Sequence, residues 1–272
     1  MEMASTEEIR RNFPITKSKV YLNHAAQSPL PKPAVDAMRR YAEELSEYGC
    51  VVHQEDGKTT FAKLINASKD EVALVENTSI GLNIVANMLT YPSGSNIVTT
   101  DLEYPSVVYP WKNRKLDVDV RYVKNKAGKI LLEDLEKTID DKTVVIAISH
   151  VEYVNGFRFN LGAVSEIAHK HGAFVAVDAI QSLGALSVDA KRDDVDFLTA
   201  SCYKWMLGPP GIGYLYVRQD LLEKIAELNL APSAAGFDIG QHPLQIADAI
   251  GQQLHFAKAF VNLFQPFADL FE

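Results

Sequence analysis

Two charged side chains stand where one small molecule could be gripped at both ends. Asp178 closes the apolar run Phe174-Val175-Ala176-Val177, and Lys204 sits in Ser201-Cys202-Tyr203-Lys204, just ahead of the turn Gly208-Pro209-Pro210-Gly211. A lysine amine condenses with an aldehyde to form a Schiff base, and a fixed carboxylate holds a proton on a pyridine nitrogen. Pyridoxal phosphate (PLP) carries both groups, so PLP chemistry is the first expectation. Most lysines lie at the surface. Here Tyr203, Trp205, Met206 and Leu207 argue for partial burial of Lys204, which lowers an amine's pKa and favours its nucleophilic form. Asp178 alone could equally cap a turn.

These residues need a scaffold. Short apolar runs at 72–75, 97–100, 118–123, 144–149, 173–178, 197–200 and 213–217 read as strands. Helical patterns at 78–89, 105–115, 131–139 and 162–171 alternate with them. Continuous apolar strands between helices predict an α/β fold, a three-layer sandwich with a mostly parallel central sheet. Ligands of such sheets sit beyond the carboxyl ends of the strands. Asp178, Ser149-His150 and the segment leading to Lys204 fall there. Before this region lie a Ser5–Glu8 capping box, a Pro-punctuated loop at 21–33 and an amphipathic helix at 34–48. The expected organisation is an N-terminal segment (1–20), a large domain (21–228) and an atypical tail (229–272). The tail has few charges and a helical pattern at 246–264, and it is too short for a second α/β domain.

With 272 residues, 47% of them hydrophobic, the chain can bury a large core. A net charge of -8 argues against nucleic acid as a partner. The polar start and strand-sized apolar runs predict neither a signal peptide nor a membrane span. Cys50 and Cys202 form no metal or redox motif, which points to a cytoplasmic protein with no metal site. His169-Lys170-His171 followed by Gly172 reads as a helix end rather than a metal site. The Gly208–Gly213 run leads into a strand, so it fails as a dinucleotide loop.

Asp178-Ala179-Ile180-Gln181, then Ser201-Cys202-Tyr203-Lys204 with Gly208-Pro209-Pro210-Gly211-Ile212-Gly213, stand in the order of an Asp-x-x-Gln element and a lysine-bearing loop. On these motifs the chain resembles the class V aminotransferases. These are fold-type I PLP enzymes that include cysteine desulfurases, selenocysteine lyases, isopenicillin N epimerase-like proteins and, more distantly, kynureninases. The similarity runs from about residue 21 to 217.

The resemblance implies Lys204 as the Schiff-base lysine and Asp178 as the pyridinium partner, with Gln181, three residues on, able to reach the ring hydroxyl or the aldimine region. It makes Thr78 and Ser79 a phosphate cup at a helix start, although an ordinary N-cap explains the same letters. Ser201 and Tyr203 match positions that reach the phosphate. Tyr104 matches the aromatic that stacks on the ring, and Tyr153 the loop at the ring's hydroxyl edge. His24, in Asn23-His24-Ala25-Ala26, lines the substrate side and could move protons, or be a structural histidine. The sequence departs from desulfurases in having Tyr for His at 104 and Tyr for Asn at 153; Asn155 stands where the family often has Thr.

The family's small domain supplies a substrate-binding arginine and, in desulfurases, a cysteine nucleophile. The last arginine here is Arg218, and neither cysteine holds the sulfur-accepting place, so desulfuration is disfavoured and Arg158 is the candidate carboxylate clamp. The expectation is a homodimeric, PLP-dependent, aminotransferase-like enzyme (a transferase or lyase) acting on an amino acid. The alternative is a truncated or degenerate relative with little turnover. A PLP-free Schiff-base lyase ranks last, because it would leave the phosphate cup without a task.

Overall fold

The computed structural model describes residues 5–52, 57–112 and 116–222. Its centre is a seven-stranded sheet: β1 (Val72–Val75), β2 (Asn96–Thr100), β3 (Asp119–Val123), β4 (Thr143–Ser149), β5 (Phe174–Asp178), β6 (Phe197–Ser201) and β7 (Gly213–Val217), in the order β1-β7-β6-β5-β4-β2-β3. The ladders β3–β2, β2–β4, β4–β5 and β5–β6 are parallel, and only β7 runs against its neighbours, β6 and β1. The mostly parallel three-layer sandwich expected from the sequence is therefore the fold. The helices are α1 (Thr6–Arg11), α2 (Lys32–Tyr48), α3 (Gly57–Leu64), α4 (Thr78–Met88), α5 (Pro105–Val108), α6 (Leu132–Thr138) and α7 (Leu161–Lys170).

The period of two along each strand splits the core into two layers. Ile146, Ile148, Val175, Val177, Leu198, Tyr214 and Tyr216 pack with Phe61 and Ile65, Leu135, and Leu161, Val164 and Ile167 on the face covered by α3, α6 and α7. Val145, Ala147, Ala176, Phe197, Leu215 and Val217 pack with Leu82, Val85 and Ala86 of α4, and with Val107 and Trp111, on the other. By this alternation Ser149, Asp178, Thr199 and Ser201 face the α4 layer. Registers Ser149↔Asp178 and Asp178↔Thr199 set them side by side at one end of the sheet.

Local signals explain most boundaries. The Ser5–Glu8 capping box is formed, with the Glu8 carboxylate accepting from Ser5 N–H at 2.7 Å. Gly49 closes α2 with φ +67°, where a Cβ would be strained. The predicted helix at 105–115 is shorter: α5 is a single turn followed by turns to 112, and 113–115 lie outside the described residues. α3 was not foreseen; its pattern Gly-Lys-Thr-Thr-Phe-Ala-Lys-Leu is too short and polar to announce a helix, yet it buries Thr60, Phe61 and Ala62. The helical pattern at 246–264 also lies outside the described residues.

α4 lies unusually close to the sheet. A Cβ at Gly81 would stand 2.2 Å from Thr199 Oγ1, which donates to Tyr214 C=O and has no room to retreat. Gly81→Ala should cost about 1–3 kcal/mol by overpacking. The check is a urea unfolding midpoint that falls in Gly81→Ala and recovers in Gly81→Ala/Thr199→Ala; an unchanged midpoint would refute this packing.

Candidate active site

The carboxyl ends of the parallel strands gather most of the sequence-predicted residues. Asp178 ends β5 and is 2% exposed. Its Oδ1 accepts Ile180 N–H at 2.9 Å, while Oδ2 receives no donor among the described residues. Burial lifts its pKa to about 6, opposed by the Ile180 N–H and by the positive charge of Lys204. Lys204 lies three residues past the end of β6 and is half-buried. Burial lowers its pKa, and the charge of Asp178 partly restores it. Each group is thus among the charges acting on the other, so acid and lysine share one neighbourhood.

The junction of β1 and α4 is locked to the end of β6. Thr78 N–H donates to Ser201 Oγ at 2.8 Å, Ser201 N–H donates to Thr78 Oγ1 at 2.9 Å, and the two hydroxyls are 2.9 Å apart. These hydroxyls satisfy each other in a buried position, so they fix the helix start in place. Asn77 is the N-cap, accepting from Ile80 N–H at 3.0 Å. Ser79 stands exposed at the second helical position, where backbone N–H groups have no intrahelical carbonyl. The ordinary N-cap is formed: Asn77 caps, Thr78, Ile80 and Gly81 N–H are taken by Ser201 and Asn77, and Ser79 stands exposed beside them.

Aromatic groups surround the pair. Tyr104 (49% exposed) and Tyr153 (48% exposed) meet edge to face with centroids 5.1 Å apart. The Tyr203 ring lies 6.0 Å from Lys204 Nζ, and its pKa is raised by burial, then by Tyr104 and Asp178. His24 stacks on Trp205 at 5.4 Å and contacts Ser28 Oγ through Nδ1 at 2.7 Å. Gln181 is engaged at both ends, donating to Ala25 C=O at 3.0 Å and accepting from Trp205 Nε1–H at 2.9 Å. Ser28 N–H donates to Tyr203 C=O at 2.8 Å. The N-terminal loop is therefore stitched to the lysine loop, with Gln181 as one stitch. Trp205, read in the sequence only as a shield for Lys204, is its hub. Gly184 (φ +92°) permits this closeness: a Cβ there would lie 2.3 Å from Trp205 C=O.

Other candidates fall elsewhere. Asn155 donates to Gly128 C=O at 2.7 Å and accepts from Phe157 N–H at 2.9 Å, so its side chain shapes the loop. Arg158 is exposed; with burial, its charge lowers the pKa of buried His150 to about 4, keeping that ring neutral. His169 bridges Asp194 at 3.0 Å and Asp196 at 2.9 Å at the opposite end of the sheet, a more specific role than the helix-end reading. Among the described residues no His, Cys, Asp and Glu cluster is arranged to hold a metal.

Residues 20–236 match the model of the aminotransferase class-V family. The chain belongs to that family. It is 34% identical over 224 residues to the uncharacterized aminotransferase YcbU of Bacillus subtilis (strain 168), covering 80% of this chain and 60% of that protein. It is 33% identical over 237 residues to a probable cysteine desulfurase of Methanothermobacter thermautotrophicus, covering 83% and 59%. The chain thus spans about three fifths of the length of these curated relatives. The apo structure of cysteine desulfurase from Thermococcus onnurineus NA1 superposes with a TM-score of 0.77 at 27% identity, over 99% of this chain and 72% of that one. A C-DES mutant with glycine covalently linked to its PLP cofactor shares the fold, at 22% identity and a TM-score of 0.77, over 93% and 72% of the two chains.

The raised pKa of Asp178 has a measurable consequence. The folded state binds more protons than the unfolded chain between pH 3.8 and about 6, so stability falls as pH rises through that window. At pH 7–8 the cofactor-free protein carries a buried carboxylate costing roughly 2–3 kcal/mol. Asp178→Asn should flatten the pH dependence of the urea midpoint and raise the midpoint at pH 8. A variant profile parallel to wild type would show that the acid is not desolvated.

Proposed function

We propose that this chain forms the cofactor-binding part of a PLP-dependent enzyme of the class V aminotransferase type, acting on an amino acid with Lys204 as the attachment point. The observation that carries the reading is the Asp178–Lys204 couple at neighbouring strand ends, each group desolvated and acting on the other. The residues fit the group: a pyridine N–H would donate to the buried Asp178 carboxylate, and exposed Ser79 at the start of α4 would meet a phosphate. When bound, PLP supplies an aldehyde for the lysine and a ring that draws electrons from a bond at the substrate's Cα.

The rest of the task falls to the protein. Asp178 keeps a negative charge at the foot of the site, and the ring proton that this charge favours further steadies it as an anion. Lys204, partly desolvated, holds a larger fraction of free amine at neutral pH than an exposed lysine and can pass a proton at Nζ. Tyr104 offers an exposed face for stacking, with Tyr153 bracing its edge. Thr78 and Ser201 hold the helix start in register, and Tyr203 borders the amine. Gln181 borders the ring and also tethers the Ala25 backbone to Trp205, which holds its amide in place. In this reading His24, braced by Trp205 and Ser28, carries protons on the substrate side.

In this reading residues 21–228 are the cofactor domain and 229–272 lead out of it. Residues 223–272 lie outside the described part of the structure. A cytoplasmic homodimer fits the family pattern and two free cysteines, Cys50 and Cys202. No helix among the described residues is long and apolar enough to cross a membrane.

The test is a visible spectrum of the purified chain with added PLP. We expect a yellow band that is lost in Lys204→Ala and altered by particular amino acids. Wild-type and Lys204→Ala spectra both matching free PLP would refute the proposal.

A further inference from the structure

The segment that carries Lys204 is held in a conformation its sequence does not favour. Residues 204–207 make a tight turn in which Lys204 C=O accepts Leu207 N–H at 2.9 Å. Leu207 closes the turn with φ +61°, a left-handed backbone that a bulky side chain resists. Such strain persists only where the surroundings over-determine the chain. Here most of the restraint passes through Trp205. Its indole Nε1–H donates to Gln181 Oε1 at 2.9 Å, and its ring stacks on His24 at 5.4 Å. Its backbone, with that of Met206, lies so close to Gly184 that no Cβ would fit there.

Gln181 and Gly184 belong to the segment that leaves β5 at Asp178. Gln181 lies three residues past that acid, and Trp205 is the residue after Lys204. The hydrogen bond between them therefore completes a short path from acid to amine: along one loop, across one contact, and back by one residue. The β5–β6 ladder cannot supply this alignment, because its register ends at Asp178↔Thr199, well before Lys204. We propose that Trp205 is a positioning residue: its indole N–H, tied to Gln181, holds the strained 204–207 turn against the segment after β5 and so keeps the Lys204 amine beside Asp178.

Tryptophan suits the place because its ring N–H only donates and its flat face can stack at the same time. Phenylalanine at 205 would keep the stack and lose the tie, so the two roles can be separated. Without the tie, Leu207 is free to relax toward negative φ, and the turn carries the amine away from the acid and toward water. A displacement of about 1 Å at a reacting group can cost about a hundredfold in rate. The titratable groups around the amine are Asp178 at the end of β5, Tyr203 on its own loop, whose ring is 6.0 Å from Nζ, and His24 against Trp205. Burial lowers the pKa of Lys204 more than the Asp178 charge raises it, so an amine released to water titrates at higher pH.

As far as it concerns the cofactor, the inference rests on the PLP reading; the tie itself does not. The first arm of the test therefore uses cofactor-free protein: wild type, Trp205→Phe, Gln181→Leu and the double variant. Brief labelling with acetic anhydride across a pH series, mapped by mass spectrometry, follows the Lys204 amine. Its midpoint should move to higher pH in each single variant, and Trp205→Phe should add nothing in the Gln181→Leu background, because both cut the same bond. Leu207→Gly, which adopts φ +61° freely, should bring the Trp205→Phe profile back toward wild type. A Trp205→Phe protein with a lowered urea midpoint and an unchanged Lys204 profile would overturn the proposal, and Gln181→Leu decides the point if Trp205→Phe does not fold. The second arm adds PLP and traps the adduct with borohydride. Labelling of Lys204 should be about tenfold slower or more in Trp205→Phe, and equal rates would count against the tie. A chain that passes the first arm and takes up no PLP even as wild type would refute the functional reading while leaving the tie intact.

Discussion

A buried carboxylate and a half-buried amine, each displaced from its ordinary pKa by desolvation and partly restored by the other, set the terms for the rest of this structure. Neither charge is comfortable alone away from water. Among the described residues one hydrogen bond, from Ile180 N–H, holds the charge of Asp178, which stabilises the protein less than an apolar residue of the same size would. Such groups at a sheet's carboxyl edge are what a functional site looks like when stability is given up for reactivity. The pairing depends on β5 and β6 being parallel neighbours, since only then do a strand-end acid and a lysine just past the next strand meet.

The scaffold keeps these two groups aligned through a few close contacts. Gly81 lets α4 lie against Thr199, which brings the helix start to the end of β6. The reciprocal Thr78–Ser201 hydrogen bonds then fix that junction. On the other side, Gln181, Trp205 and Ser28 tie the N-terminal loop to the lysine loop. The Ser149–Glu103 and Thr100–Glu152 hydrogen bonds do the same for the loops that present Tyr104 and Tyr153. A common pattern emerges: polar groups around the Asp178–Lys204 couple hydrogen-bond to one another and so hold the loops in place.

Much of this was legible in the sequence. The strands are continuous apolar runs because both faces of the sheet are covered, so β1 and β7 match the expected bounds and the others differ by a residue or so. Asp178 and Lys204 were visible because a charged group at the end of such a run has few structural excuses. Side-chain pairings were not legible. Thr78 and Ser201 are 123 residues apart in sequence, and nothing local announces that they satisfy each other. The tether from Gln181 to Ala25 and Trp205 was equally silent, because it joins three segments far apart in the chain. Glu103 and Glu152 look like ordinary loop acids; only the fold shows that Ser149 and Thr100 donate to them. The helix at 105–115 was overextended because Tyr109, Trp111 and their neighbours keep a helical pattern past the point where α5 ends in turns.

The central claim is that the amine at position 204 is the one that meets the coenzyme. Borohydride reduction of the PLP-treated protein, followed by proteolysis and mass mapping of the peptides, tests it most directly. The account predicts a single pyridoxyl adduct on the peptide containing Lys204, absent when the reaction follows prior reduction of free PLP. An adduct on other lysines with Lys204 unmodified would contradict it.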